Sequence, residues 1–144
     1  MTQRKTSSLN KKEGFTLIEL LVVLVILGLL AGLVGPQVLR YLGGAKSDTA
    51  RLQIEELGAG LDLYHLETGR YPTTEEGLAA LVEQPVGVSN WNGPYLKKKT
   101  LPKDPWGNEY QYRSPGENGM YDLDSLGQDN QEGGEGEAAD IVSW

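Results

Sequence analysis

The sequence predicts an α+β protein in which the second half of a long N-terminal helix packs against a short helix and a small antiparallel sheet. Three patterns predict this fold: an apolar run from Leu20 to Leu39, an amphipathic pattern from Ile54 to Tyr64, and two alternating segments near the C-terminus. The 144 residues leave room for one soluble domain beside the apolar run. We therefore expect the first half of the helix in a membrane and the second half in the domain.

The apolar run is long enough to cross a bilayer. Residues 20–39 contain no charged side chain, and twenty helical residues span about 30 Å. Four basic residues precede the run: Arg4, Lys5, Lys11 and Lys12. The positive-inside tendency predicts that this end stays in the cytoplasm while the rest of the chain is translocated. The soluble part is therefore predicted to be exported.

The junction before the run reads Lys-Lys-Glu-Gly-Phe-Thr-Leu-Ile-Glu-Leu over residues 11–20. It resembles the processing site of type IV pilin-like proteins, which implies cleavage between Gly14 and Phe15 by a prepilin peptidase and N-methylation of Phe15. An ordinary secretory signal peptide fits poorly because Ala31 and Gly35, the candidate cleavage residues, each have a leucine two positions earlier. A permanent single-span anchor remains a second alternative.

Glu19 is the single acid at the start of the hydrophobic segment. A carboxylate in a membrane helix is costly when unpaired, so it predicts a partner. Cleavage after Gly14 would create one, because the new ammonium on Phe15 lies about one helical turn away. The resemblance implies that Glu19 pairs with the N-terminus of a neighbouring subunit and guides assembly. The alternative is that Glu19 reaches water at the headgroups.

The predicted helix has two further features. Apolar residues recur at three- and four-residue steps in its second half, namely Ile54, Leu57, Leu61 and Tyr64. Gly35-Pro36 is expected to loosen the helix where it leaves the bilayer, either as a fixed kink or as a segment that melts when subunits pack. Thr68-Gly69 should end it.

Shorter elements follow the helix. Thr73 and Glu76 have capping-box spacing, and the apolar residues Leu78, Leu81 and Val82 after them predict a short helix that packs on the long one. Residues 109–113 and 121–125 alternate in polarity and predict two strands joined as a hairpin.

Several downstream motifs together narrow the resemblance. They are Tyr-Pro-Thr-Thr-Glu-Glu-Gly-Leu at 71–78, Tyr-Leu at 95–96, Leu-Pro-Lys-Asp-Pro-Trp-Gly at 101–107, Leu-Gly-Gln-Asp at 126–129 and Asp-Ile at 140–141. This set resembles the major pseudopilins of type II secretion, the general secretion pathway protein G family.

The resemblance implies a type IV pilin-like fold and a division into a leader (1–14), a transmembrane and assembly helix (15–38) and a periplasmic domain (39–144). It also implies a homopolymer, the pseudopilus, that helps export folded proteins through the outer-membrane secretin. The expected partners are minor pseudopilins, an inner-membrane platform protein with its cytoplasmic ATPase, and the prepilin peptidase. The expected location is the inner membrane of a Gram-negative-type bacterium, followed by a periplasmic filament.

The C-terminal segment combines acids, glycines and a few apolar residues. From Glu117 to Trp144 there are eight acids and no base, and the apolar residues Leu123, Leu126, Ile141 and Trp144 are expected to be buried. Acids and free carbonyls in a tight loop suit Ca²⁺, which takes about six to eight oxygen ligands. The resemblance implies a Ca²⁺ site, and its ligands would be the Leu126 carbonyl, the Asp129 carboxylate, the Gln131 carbonyl and the Asp140 carboxylate. Ala139 replaces an acid common in the family, so Glu137, Glu135 or water would complete the set.

Composition excludes several other functions. The net charge is −7, and removal of residues 1–14 takes away four bases and one acid, leaving −10, which disfavours a nucleic-acid partner. There is no cysteine, and the only histidine, His65, has no clustered catalytic partner in the sequence, so we expect no enzyme. The alternatives are a type IV major pilin or competence pseudopilin and, from a different class, a membrane-anchored periplasmic enzyme.

Overall fold

The computed structural model describes residues 13–144, so the four basic residues that precede the apolar run lie outside the described residues. One α-helix, α1 (Leu17–Thr68), is followed by a first 3₁₀ helix (Leu78–Leu81) and by strands β1 (Gln111–Arg113) and β2 (Asp122–Ser125). A second 3₁₀ helix (Gly136–Ala138) and strand β3 (Ile141–Val142) complete the order. The long helix and small sheet confirm the predicted α+β class.

The chain divides into a first unit that ends at Leu39 and a second unit, Arg40–Trp144. In the first unit every large apolar side chain from Phe15 to Leu39 is exposed in the single chain. Helix α1 continues through Pro36 without a break. The melting of this segment on assembly therefore stays a prediction.

In the second unit, the predicted apolar stripe of α1 forms one side of the core. Ile54, Leu57, Leu61 and Tyr64 are all buried, as the three- and four-residue spacing predicted. The side chains that cover them come from the later elements, namely Leu78, Leu81, Tyr110, Leu123 and Ile141. Helix α1 ends at Thr68, and Gly69 takes a positive φ of 83° there, which a glycine adopts at little cost.

The sheet is antiparallel with the order β1-β2-β3. Tyr112 pairs with Leu123 in the predicted hairpin, and Ser125 pairs with Ile141 in the second ladder. The sequence pattern did not predict β3, because two residues are too few to show alternation. Leu123 and Ile141 are buried as expected, but the prediction for Trp144 was wrong because that side chain is 55% exposed.

The capping box after α1 is present, but the element that it introduces is shorter than predicted. The Thr73 amide donates to Glu76 Oε2 at 2.9 Å, and the Glu76 amide donates to Thr73 Oγ1 at 3.2 Å. A turn follows and then the four-residue 3₁₀ helix, whose N-terminal neighbour Gly77 has a φ of 60°. That backbone conformation is outside the helical region, so a continuous α-helix from Thr73 cannot form.

The ion pair between Arg70 and Glu76 should stabilise this region at neutral pH and not in acid. Arg70 donates to both carboxylate oxygens at 2.7 Å, and these bonds lower the pKa of Glu76 from 4.5 to about 2. Because the folded pKa lies below the unfolded value, the stabilisation is present above pH 4.5 and is lost as the pH falls toward 2. Glu76→Gln should reduce the free energy of unfolding by about 1–2 kcal/mol at neutral pH, after allowance for solvent screening.

Urea unfolding of the detergent-solubilised chain at neutral and strongly acidic pH measures this difference. Glu75→Gln is the matched control, because Glu75 is an exposed neighbour. If Glu76→Gln lowered the free energy of unfolding equally at both pH values, Glu76 would act through its shape and not through its charge.

Candidate functional site

The expected processing site precedes α1 as non-helical, exposed chain. Residues 13–16 are non-helical, and Gly14 and Phe15 are exposed to solvent. The first helical bond runs from the Leu20 amide to the Thr16 carbonyl at 3.2 Å. The bond between Gly14 and Phe15 therefore lies outside the helix, in exposed chain.

Glu19 forms a capping box with Thr16 at the start of α1. The Thr16 amide donates to Glu19 Oε2 at 2.9 Å, and the Glu19 amide donates to Thr16 Oγ1 at 3.3 Å. The sequence analysis identified Glu19 but missed Thr16, although the Thr-x-x-Glu spacing is the usual signal for this motif. Glu19 thus has a hydrogen-bond donor within its own chain before any ammonium group is available.

The second candidate site is the tail loop, which we define as residues 126–140. Asp129 Oδ1 accepts the Gln131 amide at 3.1 Å, and Asp140 Oδ2 accepts the Gly133 amide at 2.8 Å. The loop is closed at its base by the Gln128 amide, which donates to the Glu137 carbonyl at 2.8 Å.

One carboxylate oxygen in the tail loop lacks a partner among residues 13–144. Asp140 Oδ1 is buried there without a hydrogen-bond donor, which is costly for a buried polar oxygen. The nearby Asp124 of β2 was not among the predicted ligands. Its burial, reinforced by the charge of Asp140, raises its pKa from 3.8 to about 6. This region therefore has an excess of negative charge that a cation would neutralise.

The two candidate glutamates differ in position. Glu135 is exposed and lies at the N-terminal side of the second 3₁₀ helix. Glu137 instead directs its carboxylate to Trp106, whose Nε1 donates to Glu137 Oε2 at 3.5 Å, and to the backbone of α1 at Gly43. Which glutamate binds a metal stays a prediction.

The oxygen ligands available in the tail loop suit a cation bound largely by backbone carbonyl groups. Within residues 13–144, no three His, Cys, Asp or Glu side chains converge closely enough to hold a metal by themselves. Ca²⁺ accepts backbone carbonyls and water as well as carboxylates, so Leu126, Asp129, Gln131 and Asp140 remain a chemically suitable set. The unpartnered Asp140 oxygen fits this requirement.

His65 lies on α1 as a packing residue. Its ring stacks on Tyr71 with 4.5 Å between ring centroids and 19° between ring planes. Tyr71 in turn donates its hydroxyl to Asp62 at 2.9 Å. This arrangement accounts for His65 by packing with an aromatic neighbour.

Comparison with known proteins decides the family. A profile described as "Type II secretion system (T2SS), protein G" matches residues 37–144, and one described as "Prokaryotic N-terminal methylation motif" matches residues 9–35. This chain belongs to the type II secretion system protein G family. Helix α1 also satisfies the length and composition required to cross a membrane.

Curated relatives and a solved structure agree with this family. The chain is 51% identical to type II secretion system core protein G of Pseudomonas aeruginosa over 139 residues, covering 94% of this chain and 96% of the relative. Identity to the Vibrio cholerae core protein G is 49%, covering 94% of each. The crystal structure of the major pseudopilin from the type 2 secretion system of enterohaemorrhagic Escherichia coli matches with a TM-score of 0.60 and 36% identity, covering 70% of this chain and 88% of that one. The predicted pseudopilin fold is thereby confirmed.

Proposed function

We propose that this chain is the major structural subunit of a type II secretion pseudopilus and that it has no enzymatic role. The observation that supports this proposal most directly is the apolar half of α1, whose large side chains are all exposed in the single chain. Such a surface is stable in lipid and unstable in water. Subunits that leave the membrane must therefore exchange lipid for the corresponding helices of other copies, where close packing replaces the contacts with lipid.

Processing and topology belong to the same proposal. The N-terminus would stay cytoplasmic until the prepilin peptidase cleaves after Gly14 and Phe15 is methylated, and the domain would lie in the periplasm. The exposed, non-helical chain at Gly14 and Phe15 and the methylation-motif match at residues 9–35 support this order. Minor pseudopilins, a platform protein and a cytoplasmic ATPase would complete the assembly.

Glu19 would act after processing. In the single chain its carboxylate accepts the Thr16 amide, so it is not an unsatisfied charge at the membrane. A neighbouring subunit's Phe15 ammonium would offer a stronger, charge-assisted bond than an amide does. Entry into the fibre would thus replace a local bond with a bond between subunits.

Ca²⁺ would bind the tail loop through the Leu126 and Gln131 carbonyls and the Asp129 and Asp140 carboxylates. When bound, it would neutralise the acids of this region and stabilise the folded loop. The buried, unpartnered Asp140 oxygen supports this assignment, as does the raised pKa of Asp124. Glu135 or water would complete the coordination.

Deletion of the gene followed by complementation tests the function. Without this chain, enzymes that the bacterium normally secretes should accumulate in the periplasm, because the filament that drives them through the secretin is missing. Complementation by the intact gene should restore secretion. A failure of twitching or DNA uptake with normal secretion would favour the type IV pilin or competence pseudopilin alternative. Loss of a periplasmic catalytic activity alone would favour the membrane-anchored enzyme.

A further inference from the structure

The side chain of Glu137 leaves the tail loop and lies on α1. A Cβ atom built on Gly43 would come closer than 3.0 Å to three side-chain atoms of Glu137, so the glutamate occupies the space that a larger residue at position 43 would need. Gly43 is buried. For a Cβ built on its neighbour Gly44, by contrast, no atom of residues 13–144 lies within 4 Å beyond the adjoining residues and the local helix backbone. Trp106 donates its indole N–H to the same carboxylate at 3.5 Å. Glu137 is therefore held between a helix backbone and an indole ring.

The backbone of Glu137 closes the tail loop. Its carbonyl accepts the Gln128 amide at 2.8 Å, and the residue sits within the second 3₁₀ helix, Gly136–Ala138. Gly127, with a φ of 69°, passes so close that a Cβ there would lie 2.8 Å from the Glu137 carbonyl oxygen. The position of the Glu137 side chain thus depends on closure of the loop, because one residue carries both contacts.

We propose that Glu137 is a clamp and not a calcium ligand: it fixes the closed tail loop on α1 at Gly43. The adjacent glycines 43 and 44 weaken the helix at this point, because glycine has more conformational freedom to lose than alanine. A side chain packed over Gly43 restricts this segment from outside the helix. The clamp rests on the proposed calcium site only in one respect, namely that an ion which orders the loop would also order residues 40–50 of α1.

Hydrogen exchange of the full-length chain in detergent, with Ca²⁺ or with a chelator, tests the clamp. Glu137→Ala should raise amide exchange in residues 40–50 by about fivefold or more, because the opening of this segment no longer requires breaking the contact. Glu132→Ala is the matched control, since it removes the same charge from an exposed residue of the same loop that is not among the proposed calcium ligands. It should leave exchange in residues 40–50 unchanged.

The two adjacent glycines give a second test within the helix. Gly44→Ala should slow exchange in residues 40–50, because alanine favours the helix and has open space there. Gly43→Ala should slow exchange in residues 40–50 less than Gly44→Ala does, or raise it, since the new methyl group displaces Glu137. In the Glu137→Ala background the two glycine substitutions should become equivalent. Equal effects of the two in the wild-type background would overturn the clamp.

Calcium titration separates the clamp from the proposed metal site. Glu137→Ala should retain calorimetric Ca²⁺ binding, and loss of that binding would identify Glu137 as a ligand and overturn the clamp. Unchanged exchange in residues 40–50 of Glu137→Ala would also overturn it. If the wild-type chain bound no Ca²⁺ while Glu137→Ala still raised exchange there, the clamp would stand and the proposed calcium site would fail.

Discussion

Glu19→Ala should abolish fibre formation while leaving the cleavage after Gly14 intact. The substitution removes the carboxylate that would pair with the Phe15 ammonium of a neighbouring subunit, and it also removes the capping bond to the Thr16 amide. The proposed cleavage site, between Gly14 and Phe15, lies in exposed, non-helical chain before α1, so the peptidase should still reach it. Mass spectrometry of the membrane-bound chain measures cleavage and methylation, and electron microscopy of sheared cell-surface or periplasmic material measures fibres.

A second substitution distinguishes the two roles of the carboxylate. Glu19→Gln keeps a side-chain oxygen that can accept the Thr16 amide but removes the charge that binds an ammonium group. If pairing between subunits is the essential role, this variant should fail to form fibres as completely as Glu19→Ala does. Normal fibres from Glu19→Gln would show that the capping bond is sufficient. Glu83→Gln, which changes an exposed acid of the second unit, is the control and should assemble normally.

Asp140→Asn should abolish Ca²⁺ binding and the stabilisation that accompanies it. Asp140 Oδ1 is buried without a donor among the described residues. Removal of its charge should therefore lower the free energy of unfolding only slightly without Ca²⁺ and strongly with Ca²⁺. At a free Ca²⁺ concentration about one hundred times Kd, binding should add about 2.7 kcal/mol to the free energy of unfolding of the wild-type chain. For a domain of this size that corresponds to a rise in Tm of about 10 °C.

Calorimetric titration and thermal unfolding with Ca²⁺ or a chelator measure both quantities. Asp129→Asn should behave like Asp140→Asn, because both carboxylates would ligate the ion. Glu83→Gln again removes one charge away from the tail loop and should keep the full calcium-dependent rise in Tm. A rise that persists in both aspartate variants would place any bound Ca²⁺ somewhere other than the proposed loop.

The sequence predicted the helix and its core face well because both depend on a long periodic pattern. Ile54 to Tyr64 spans three helical turns, so the spacing identifies one buried face without further information. Thr68-Gly69 likewise ends α1 through a local conformational requirement of glycine. These features are encoded by neighbours in the chain.

The tail loop and its surroundings were less predictable because they depend on contacts between distant residues. Strand β3 exists because Ile141 pairs with Ser125, and the two-residue strand has no pattern of its own. Glu137 could not be assigned from sequence because its partners, Gly43 and Trp106, lie 94 and 31 residues away. Thr16, by contrast, was predictable from the same spacing rule that identified Thr73 and Glu76.

Strand β3 also affects the time at which the domain can fold. Ile141 contributes to the core and completes the sheet, yet it is separated from the beginning of α1 by more than a hundred residues. The second unit, Arg40–Trp144, therefore cannot close its core until nearly its whole length is available. Long-range pairing of this kind delays the final folding step. Under the proposed topology, such a delay would keep the chain unfolded while it crosses the membrane, and compact structure would form only afterwards.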